Sequence, residues 1–182
     1  GTPPDVSNYN NLTGWWKLNQ SANWEADSVG NWQIPDAVSA YPQSFDFDGS
    51  DNISLPTINL GTTNTVSFWI NRDSYLTQEV PLGDPIAAGG VLVFINGASG
   101  NVLYKWDGGW TAWTGLLGTI QQEWMHILII RNGSSSTAYI NGGSGTTVTT
   151  GGTAENSLGT IGSTSINTSY LQSKMSNVAV WN

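Results

Sequence analysis

Short runs of apolar residues that alternate with other residues recur along the chain, with turn residues between them. In residues 65–70 (TVSFWI), Val66, Phe68 and Ile70 face one way and the intervening side chains face the other, which is the period of a β-strand. Glycine or proline interrupts nearly every stretch that would be long enough for a helix. The pattern predicts an all-β chain of two packed antiparallel sheets, with further strands in 91–95, 102–106, 110–114, 124–130, 137–140, 146–150 and 173–181.

The composition is that of one β-rich domain without covalent cross-links. Only 10% of the 182 residues are charged, whereas ten are tryptophan and 22 are glycine. A domain of this length buries roughly 70% of the surface of its unfolded chain, so its core needs no disulfide. The chain has no cysteine, which excludes thiolate metal sites and cysteine nucleophiles. We predict a single domain over residues 1–182, in which residues 1–11 form an N-terminal extension.

The charge balance limits the classes of partner. Thirteen acidic and five basic residues give a net charge of −8 at pH 7. A few dispersed basic residues cannot displace the counterions of nucleic acid, and they do not favour an anionic membrane surface. No apolar stretch approaches the ~20 residues of a membrane-spanning helix, and the first ten residues do not resemble a signal peptide. We therefore predict neutral, hydroxyl-rich partners or cations held by carboxylates, with no nucleic acid and no membrane insertion.

Seven short motifs follow one another from Leu12 to the last residue. They are LTGWWKLNQ (12–20), ADSVGN (26–31), SFDFDGSDNISLP (44–56), VSFWI (66–70), EWMHILIIRNG (123–133), AYINGG (138–143) and KMSNVAVWN (174–182). Their order resembles that of laminin-G-like domains, which belong to the concanavalin A-like lectin and glucanase superfamily. The resemblance implies a jelly-roll β-sandwich that binds glycans or proteins, often with a calcium ion at its rim, although a minority of relatives are hydrolases or lyases. Because a fold does not determine a function, the individual residues have to decide it.

His126 is the sole histidine of the chain, and an apolar run follows it. Trp124-Met125-His126 resembles the Trp-x-His pair that opens a central strand in laminin-G-like domains. Alternation places His126 on one face with Trp124, Leu128 and Ile130, and both faces of this strand are apolar. Because such strands are typical of a sandwich interior, we predict that His126 packs there with one hydrogen bond to a neighbouring strand or loop. Triad chemistry would need an exposed serine and an aspartate beside it.

The acidic residues do not form a catalytic set in the sequence. Glycoside hydrolysis needs two carboxyl groups ~5–10 Å apart, and the glucanase branch of the superfamily carries them on one strand as E-x-D-x-x-E. The E-x-D of this chain is Glu25-Ala26-Asp27, and Gly30 occupies the position of the third carboxylate. The basic and tyrosine residues that a lyase would need are dispersed. We predict no catalytic residues and no enzymatic activity, with a degenerate glycoside hydrolase as a minor alternative.

Two loops carry oxygen ligands of the kind that calcium binds. The candidate ligands are Asp46, Asp48, Asp51 and Asn52 in DFDGSDN, and Asp27 and Asn31 in DSVGN. The first loop also has the composition of a hairpin turn, in which Asp and Asn side chains bond to the local backbone, and it lacks the glutamate of an EF-hand loop. Both interpretations remain open, and structural calcium is the one cofactor that the sequence predicts.

The tryptophans divide into those in strand motifs and those in loops or a hairpin. We predict that Trp15, Trp69, Trp124 and Trp181, which lie in strand motifs, pack in the core. Trp24 and Trp32 flank the 25–31 loop, and Trp106, Trp110 and Trp113 lie in the hairpin YKWDGGWTAWTG, where exposed rings would stack on sugar rings. The predicted ligand-binding residues are Tyr104, Trp106, Trp110, Trp113, Trp24 and Trp32.

The register of this hairpin decides whether its aromatic residues form a platform. With a three-residue loop at 107–109, Trp106 opposes Trp110 on the face of Tyr104, and Trp113 lies on the other face. A two-residue Asp-Gly turn would shift the register by one residue and separate the two tryptophans. The same rings could also be buried under a loop.

The sequence therefore favours a non-catalytic recognition module, a lectin-like domain that binds a glycan or a surface partner. A structural or adhesive virion protein, such as a phage head-decoration or tail domain, is the alternative from another class. The low lysine content and the Gly/Ser/Thr/Asn-rich, cysteine-free chain favour that alternative. Either function predicts an extracellular, cell-surface or virion-surface location, and both are compatible with a homo-oligomer or a larger assembly.

Overall fold

The computed structural model describes residues 12–16, 44–73, 79–85, 92–97, 99–106, 109–113, 122–149, 154–164 and 169–182; for 12–16, 105, 106 and 109–111 it describes the backbone alone. These residues form the strands β1 (Leu12–Trp16), β2 (Phe45–Asp46), β3 (Ile53–Gly61), β4 (Thr63–Arg72), β5 (Glu79–Gly83), β6 (Val93–Asn96), β7 (Asn101–Trp106), β8 (Gly109–Trp113), β9 (Trp124–Asn132), β10 (Ser135–Ile140), β11 (Thr146–Thr149), β12 (Asn156–Ile161) and β13 (Ser173–Trp181). No helix long and apolar enough to cross a membrane occurs in them.

The strands form two antiparallel sheets. Over the described ranges, the larger sheet has seven strands in the order β1-β13-β4-β9-β10-β11, with β2 beside β13. The smaller sheet has six strands in the order β3-β12-β5-β6-β7-β8. Successive strands such as β3, β4 and β5 alternate between the sheets, so the chain crosses the sandwich repeatedly. This arrangement confirms the predicted jelly-roll sandwich of two antiparallel sheets.

The last strand lies inside its sheet. β13 pairs with β4 along one side and with β1 along the other, where Leu12 faces Trp181. The register of β13 shifts between Ser176 and Ala179, and Asn177 adopts φ +49° within this bulge. Asparagine is one of the few residues that tolerate a left-handed conformation, which explains its presence there.

The core forms where the inner faces of the two sheets meet. Val66, Phe68 and Ile70 of β4 are fully buried, which confirms that they share one face and shows that this face is the inner one. Other central strands of the larger sheet also bury alternate residues, and the smaller sheet adds Leu82, Val93, Ile95, Val102, Leu158 and Ile161. Each such side chain contributes about 1.5–3 kcal/mol when it is removed from water.

Buried polar groups link the two sheets. Arg72 at the end of β4 and Glu79 at the start of β5 form an ion pair with 2.8 Å between Nε and Oε2, and both side chains are fully buried. Ser173 Oγ donates to the other carboxylate oxygen of Glu79 at 2.6 Å. At another position, Arg131 Nη2 donates to the carbonyl oxygen of Ala154 at 2.6 Å. These contacts satisfy charges and donors that would otherwise be costly to bury.

Candidate functional site

The hairpin of β7 and β8 has a two-residue connection. Its backbone pairs Trp106 with Gly109 and Lys105 with Trp110, so the three-residue loop that would pair the two tryptophans is wrong. An Asp-Gly turn favours the shorter connection because it supplies the backbone twist that matches the flanking strands. The side chains of Trp106 and Trp110 lie outside the described residues, and so do Trp24 and Trp32. Their contact with a ligand stays a prediction.

Tyr104 and Trp113 lie in the core, contrary to the prediction that they contact a ligand. Tyr104 is fully buried, and its hydroxyl donates to Asn64 Oδ1 at 2.6 Å. Trp113 is 1% exposed, and its Nε1 donates to the carbonyl oxygen of Thr146 at 2.8 Å. Both side chains lie on the inner face of the smaller sheet and reach polar partners on the larger one. Burial also raises the pKa of the Tyr104 hydroxyl.

The outer face of the seven-stranded sheet carries exposed aromatic side chains. The register places Trp69 of β4 opposite His126 of β9 and Asn71 opposite Trp124, so the two tryptophans are diagonal neighbours. Trp69 is 38% exposed and Trp124 is 39% exposed. The prediction that both pack in the core is wrong, because β9 is apolar on both faces but only one of them meets the other sheet. We call Trp69, Trp124 and His126 the aromatic patch.

His126 belongs to this outer face. Its Nε2 is 2.7 Å from Ser67 Oγ, and its ring centroid is 5.2 Å from that of Trp69, with the ring planes tilted by 36°. Asn141 Oδ1 accepts a hydrogen bond from the backbone N of His126 at 2.8 Å, and Asn141 N donates to the His126 carbonyl oxygen at 2.9 Å. The predicted hydrogen bond to a neighbouring strand is confirmed, whereas the predicted position in the sandwich interior is wrong. The imidazole is half-buried, which lowers its pKa.

Protonation of His126 is expected to destabilise the folded protein. Because burial lowers the pKa of the folded imidazole below its ordinary value of about 6.5, the unfolded chain takes up the proton at a higher pH than the folded chain does. The stabilisation of the folded protein by the neutral His126 ring is therefore fully present above about pH 6.5, and it is lost as the pH falls toward the pKa of the folded imidazole. Urea unfolding between about pH 5 and pH 8 should show the wild type losing stability relative to His126→Gln on acidification. A constant difference between the two proteins contradicts this prediction.

Over β4, β9, β10 and β11 the outer face is neutral and rich in hydroxyl groups. The outward side chains described on β4, β9, β10 and β11 are all Thr, Ser, Asn, Trp, His, Leu, Ile or Tyr. Thr137 Oγ1 lies 2.7 Å from Thr147 Oγ1, and Ser135 Oγ lies 3.0 Å from Thr149 Oγ1. Ile130, at the opposite end of β9 from Trp124, is 38% exposed. The described charges on this face are those of Lys174 and Asp46 on β13 and β2, which pair with each other, so the four strands β4, β9, β10 and β11 suit a neutral partner.

The acidic loop after β2 is closed by its own hydrogen bonds. Asp48 Oδ1 accepts bonds from the hydroxyl of Ser50 at 2.6 Å and from its backbone N at 2.8 Å. These bonds lower the pKa of Asp48. The Asp48 backbone N donates to Asp51 Oδ2 at 3.5 Å, and Asn52 Oδ1 accepts from the Ser54 hydroxyl at 3.2 Å. This geometry supports the turn interpretation of the loop.

The described carboxylates are not grouped as a metal centre. Asp46 and Asp73 lie 3.5 and 3.3 Å from Lys174 Nζ, and hydrogen bonding to Asp73 raises the pKa of that lysine. In the part of the chain that the structure covers, no group of three or more His, Cys, Asp or Glu side chains could hold a metal ion. The second predicted loop, with Asp27 and Asn31, lies outside that part. Calcium binding therefore stays a prediction.

Chelation tests the calcium prediction. If the loop of Asp27 and Asn31 holds the ion, EDTA should lower the melting temperature, because an ion that binds only the folded state stabilises it by mass action. EDTA should lower the melting temperature of Asp48→Ala by the same amount, since Asp48 already accepts hydrogen bonds from Ser50. An unchanged melting curve in EDTA, together with no metal in elemental analysis, would contradict the prediction.

Sequence reasoning missed the outer face, although a signal for it was present. Alternation in 65–70 places Trp69 on the same face as Thr65 and Ser67. Hydroxyl side chains beside a tryptophan indicate a surface more readily than a core. Because β4 and β9 pair in register, that orientation fixes the outward position of Trp124 and His126 as well.

Comparison with known proteins identifies the family and the fold. A laminin G-type family model, described as the concanavalin A-like lectin/glucanases superfamily, matches residues 47–182. No curated protein sequence matches the chain significantly. Solved structures that match include the binding domain of botulinum neurotoxin DC in complex with rat synaptotagmin II, with a TM-score of 0.63 at 13% identity over 94% of this chain and 48% of that one.

Two further solved structures, a pentraxin and a sialidase, are also similar to this chain. A heptameric SAP-like pentraxin from Limulus polyphemus has a TM-score of 0.56 at 13% identity, over 74% of this chain and 73% of that chain. Trypanosoma rangeli sialidase has a TM-score of 0.61 at 14% identity, over 95% of this chain and 30% of that chain. The chain thus spans about half of the toxin domain and under a third of the sialidase. At these identities the likeness shows the fold alone.

Proposed function

We propose that this chain, which belongs to the laminin G-like family of the concanavalin A-like lectin/glucanases superfamily, is a non-catalytic recognition module that binds a glycan on its outer face. The observation that carries the proposal is the exposure of two diagonal tryptophans, Trp69 and Trp124, on a sheet face that carries no formal charge over β4, β9, β10 and β11. Large exposed apolar side chains that lie together mark interaction sites in soluble proteins. Indole rings stack on the C–H faces of sugar rings, and the neighbouring amide and hydroxyl groups can bond to sugar hydroxyls.

Two of the described carboxylates are held in the interior, and the exposed Asp46 and Asp73 are both paired with Lys174, which supports a non-catalytic function. Hydrolysis of a glycosidic bond needs two carboxyl groups that face each other across the sugar. Glu79 is bonded to Arg72 in the interior, and Asp84 is buried and accepts from the backbone N of Ser157 at 3.1 Å. Among the described residues, no carboxylate hydrogen-bonds to His126, so the Ser67–His126 pair lacks the third member of a triad. An extracellular location accompanies this proposal.

A glycan array tests the proposal directly. The wild type should bind at least one class of neutral glycan, and Trp69→Ala or Trp124→Ala should weaken that binding by at least about tenfold, as a truncated aromatic anchor usually does. Phe94→Ala is the matched control, because Phe94 is a partly exposed aromatic residue in β6 of the other sheet. A flat array at high protein concentration would refute glycan binding. Equal losses of glycan affinity in all three variants would mean that the binding site does not lie on the outer face.

A further inference from the structure

We infer that the outer face binds an extended, neutral polysaccharide chain that runs along β9, and not a single terminal sugar. This inference rests on the proposed function and specifies its ligand class. The juxtaposition that carries it is a sheet face that is neutral over β4, β9, β10 and β11, with an exposed aromatic patch at one end and exposed hydroxyl pairs at the other.

The length of the exposed row on β9 supports a polymer. Trp124, His126, Leu128 and Ile130 alternate along the outer face, and each is at least partly exposed. With a rise of about 3.3 Å per residue, the row from Trp124 to Ile130 spans roughly 20 Å. The side chains at the two ends of the row are almost equally exposed, Trp124 at 39% and Ile130 at 38%. A site for one terminal sugar would concentrate its contacts at a single point, whereas this face offers contacts along the whole strand.

The hydroxyl pairs at the far end can bond to sugar hydroxyls without losing their own contacts. A hydroxyl group has one donor and two acceptor positions. In the Thr137–Thr147 pair one hydroxyl donates to the other, so the accepting hydroxyl still has its own proton to donate. The Ser135–Thr149 pair has the same property. The register places Ile130 opposite Thr137, so these pairs flank the end of the β9 row.

The charge of the face selects a neutral polymer over an acidic one. Arg and Lys are the usual ligands of uronate and sulfate groups, and neither is among the described outward side chains of β4, β9, β10 and β11. Lys174, opposite Asn71 at the Trp124 end, is already paired with Asp46 and Asp73. The net charge of −8 adds a general repulsion of polyanions.

The experiment has two stages. Affinity electrophoresis in gels that contain a soluble β-glucan, xylan, mannan or galactan, with polygalacturonate and heparin as acidic comparisons, identifies the retained polymer. Calorimetry then measures the affinity of the protein for each oligosaccharide of that polymer, from the disaccharide up to the hexasaccharide. We expect retention by a neutral polymer and an affinity that rises at least about tenfold from the shortest to the longest oligosaccharide.

A charge introduced at the hydroxyl end tests the position of the ligand. Thr147→Glu should weaken binding of the hexasaccharide at least about fivefold and leave the disaccharide unaffected, because only the longer ligand reaches this end. Thr57→Glu, an exposed residue on β3 of the other sheet, is the control and should change neither value.

The outcomes separate this inference from the proposed function. Equal affinity for short and long oligosaccharides, lost in Trp124→Ala, overturns the extended ligand and leaves glycan recognition intact. Retention of the acidic polymers alone, or of none of the polymers, also overturns the inference. In those cases the glycan array and the tryptophan variants still decide the proposed function.

Discussion

Replacing Glu79 with alanine should lower the free energy of unfolding by about 3–5 kcal/mol. Both members of the Arg72–Glu79 pair are fully buried, and Arg72 Nε donates to the carboxylate at 2.8 Å. Among the described residues, the variant would leave the buried guanidinium with a single weak contact, 3.5 Å to the Gly97 carbonyl oxygen. Arg72 Nη1 already lacks a hydrogen-bond partner among the described residues, which therefore offer no spare acceptor to compensate. The Ser173 hydroxyl would lose its acceptor as well. Urea unfolding followed by tryptophan fluorescence measures the change.

Two further variants separate the loss of a partner from the loss of the pair. Replacing both residues together, as Arg72→Met with Glu79→Leu, removes both charges and should recover most of the stability, because apolar pairs often replace buried ion pairs without cost. Asp73→Ala breaks the contact of Asp73 with Lys174, and it should cost about 1 kcal/mol or less because both side chains are partly exposed. If Glu79→Ala lowered the free energy of unfolding by as little as Asp73→Ala does, the Arg72–Glu79 pair would have to be hydrated and not buried.

Replacing Trp113 with alanine should also cost about 3–5 kcal/mol. The side chain is 1% exposed, and its Nε1 donates to the carbonyl oxygen of Thr146 at 2.8 Å. The substitution therefore creates a cavity in the core and removes a bond between β8 and β11. Trp124→Ala should cost only about 1 kcal/mol, because the ring of Trp124 is 39% exposed and its removal opens no interior cavity.

The two tryptophan variants are each other's controls, since the chemical change is the same. The loss of stability in Trp113→Phe should lie between those of the two alanine variants, because phenylalanine keeps an aromatic ring in the core but cannot donate the hydrogen bond to Thr146. Equal destabilisation by Trp113→Ala and Trp124→Ala would mean that the outer face is covered. The aromatic patch could then not be the binding site.

The sequence allowed the fold to be predicted, but not the orientation of its most informative residues. Alternation correctly grouped Trp124, His126 and Leu128 on one face of a strand. It did not reveal which face was the outer one, because both faces are apolar and the choice depends on the position of the second sheet. In the β7–β8 hairpin, two turn lengths fitted Asp107 and the glycines after it, and a difference of one residue exchanges the faces.

The buried polar groups could not be predicted for a different reason. Arg72 and Glu79 are only seven residues apart in the sequence, but they lie on strands of different sheets. Their contact exists because the sandwich brings β4 and β5 together, and local patterns carry no information about that. The Asp48–Ser50 turn is the opposite case, because its contacts span two residues and its composition indicated them.

The position of β13 has a consequence for synthesis of the protein. This strand follows the other twelve described strands along the chain, but it lies between β1 and β4. Until Trp181 has left the ribosome, β1 lacks the strand with which it pairs, and β4 presents an open edge of backbone donors and acceptors. The larger sheet therefore cannot be completed strand by strand as the chain emerges, and it closes only once β13 has been made. The interval before closure is when the nascent chain is most exposed to aggregation and to chaperones.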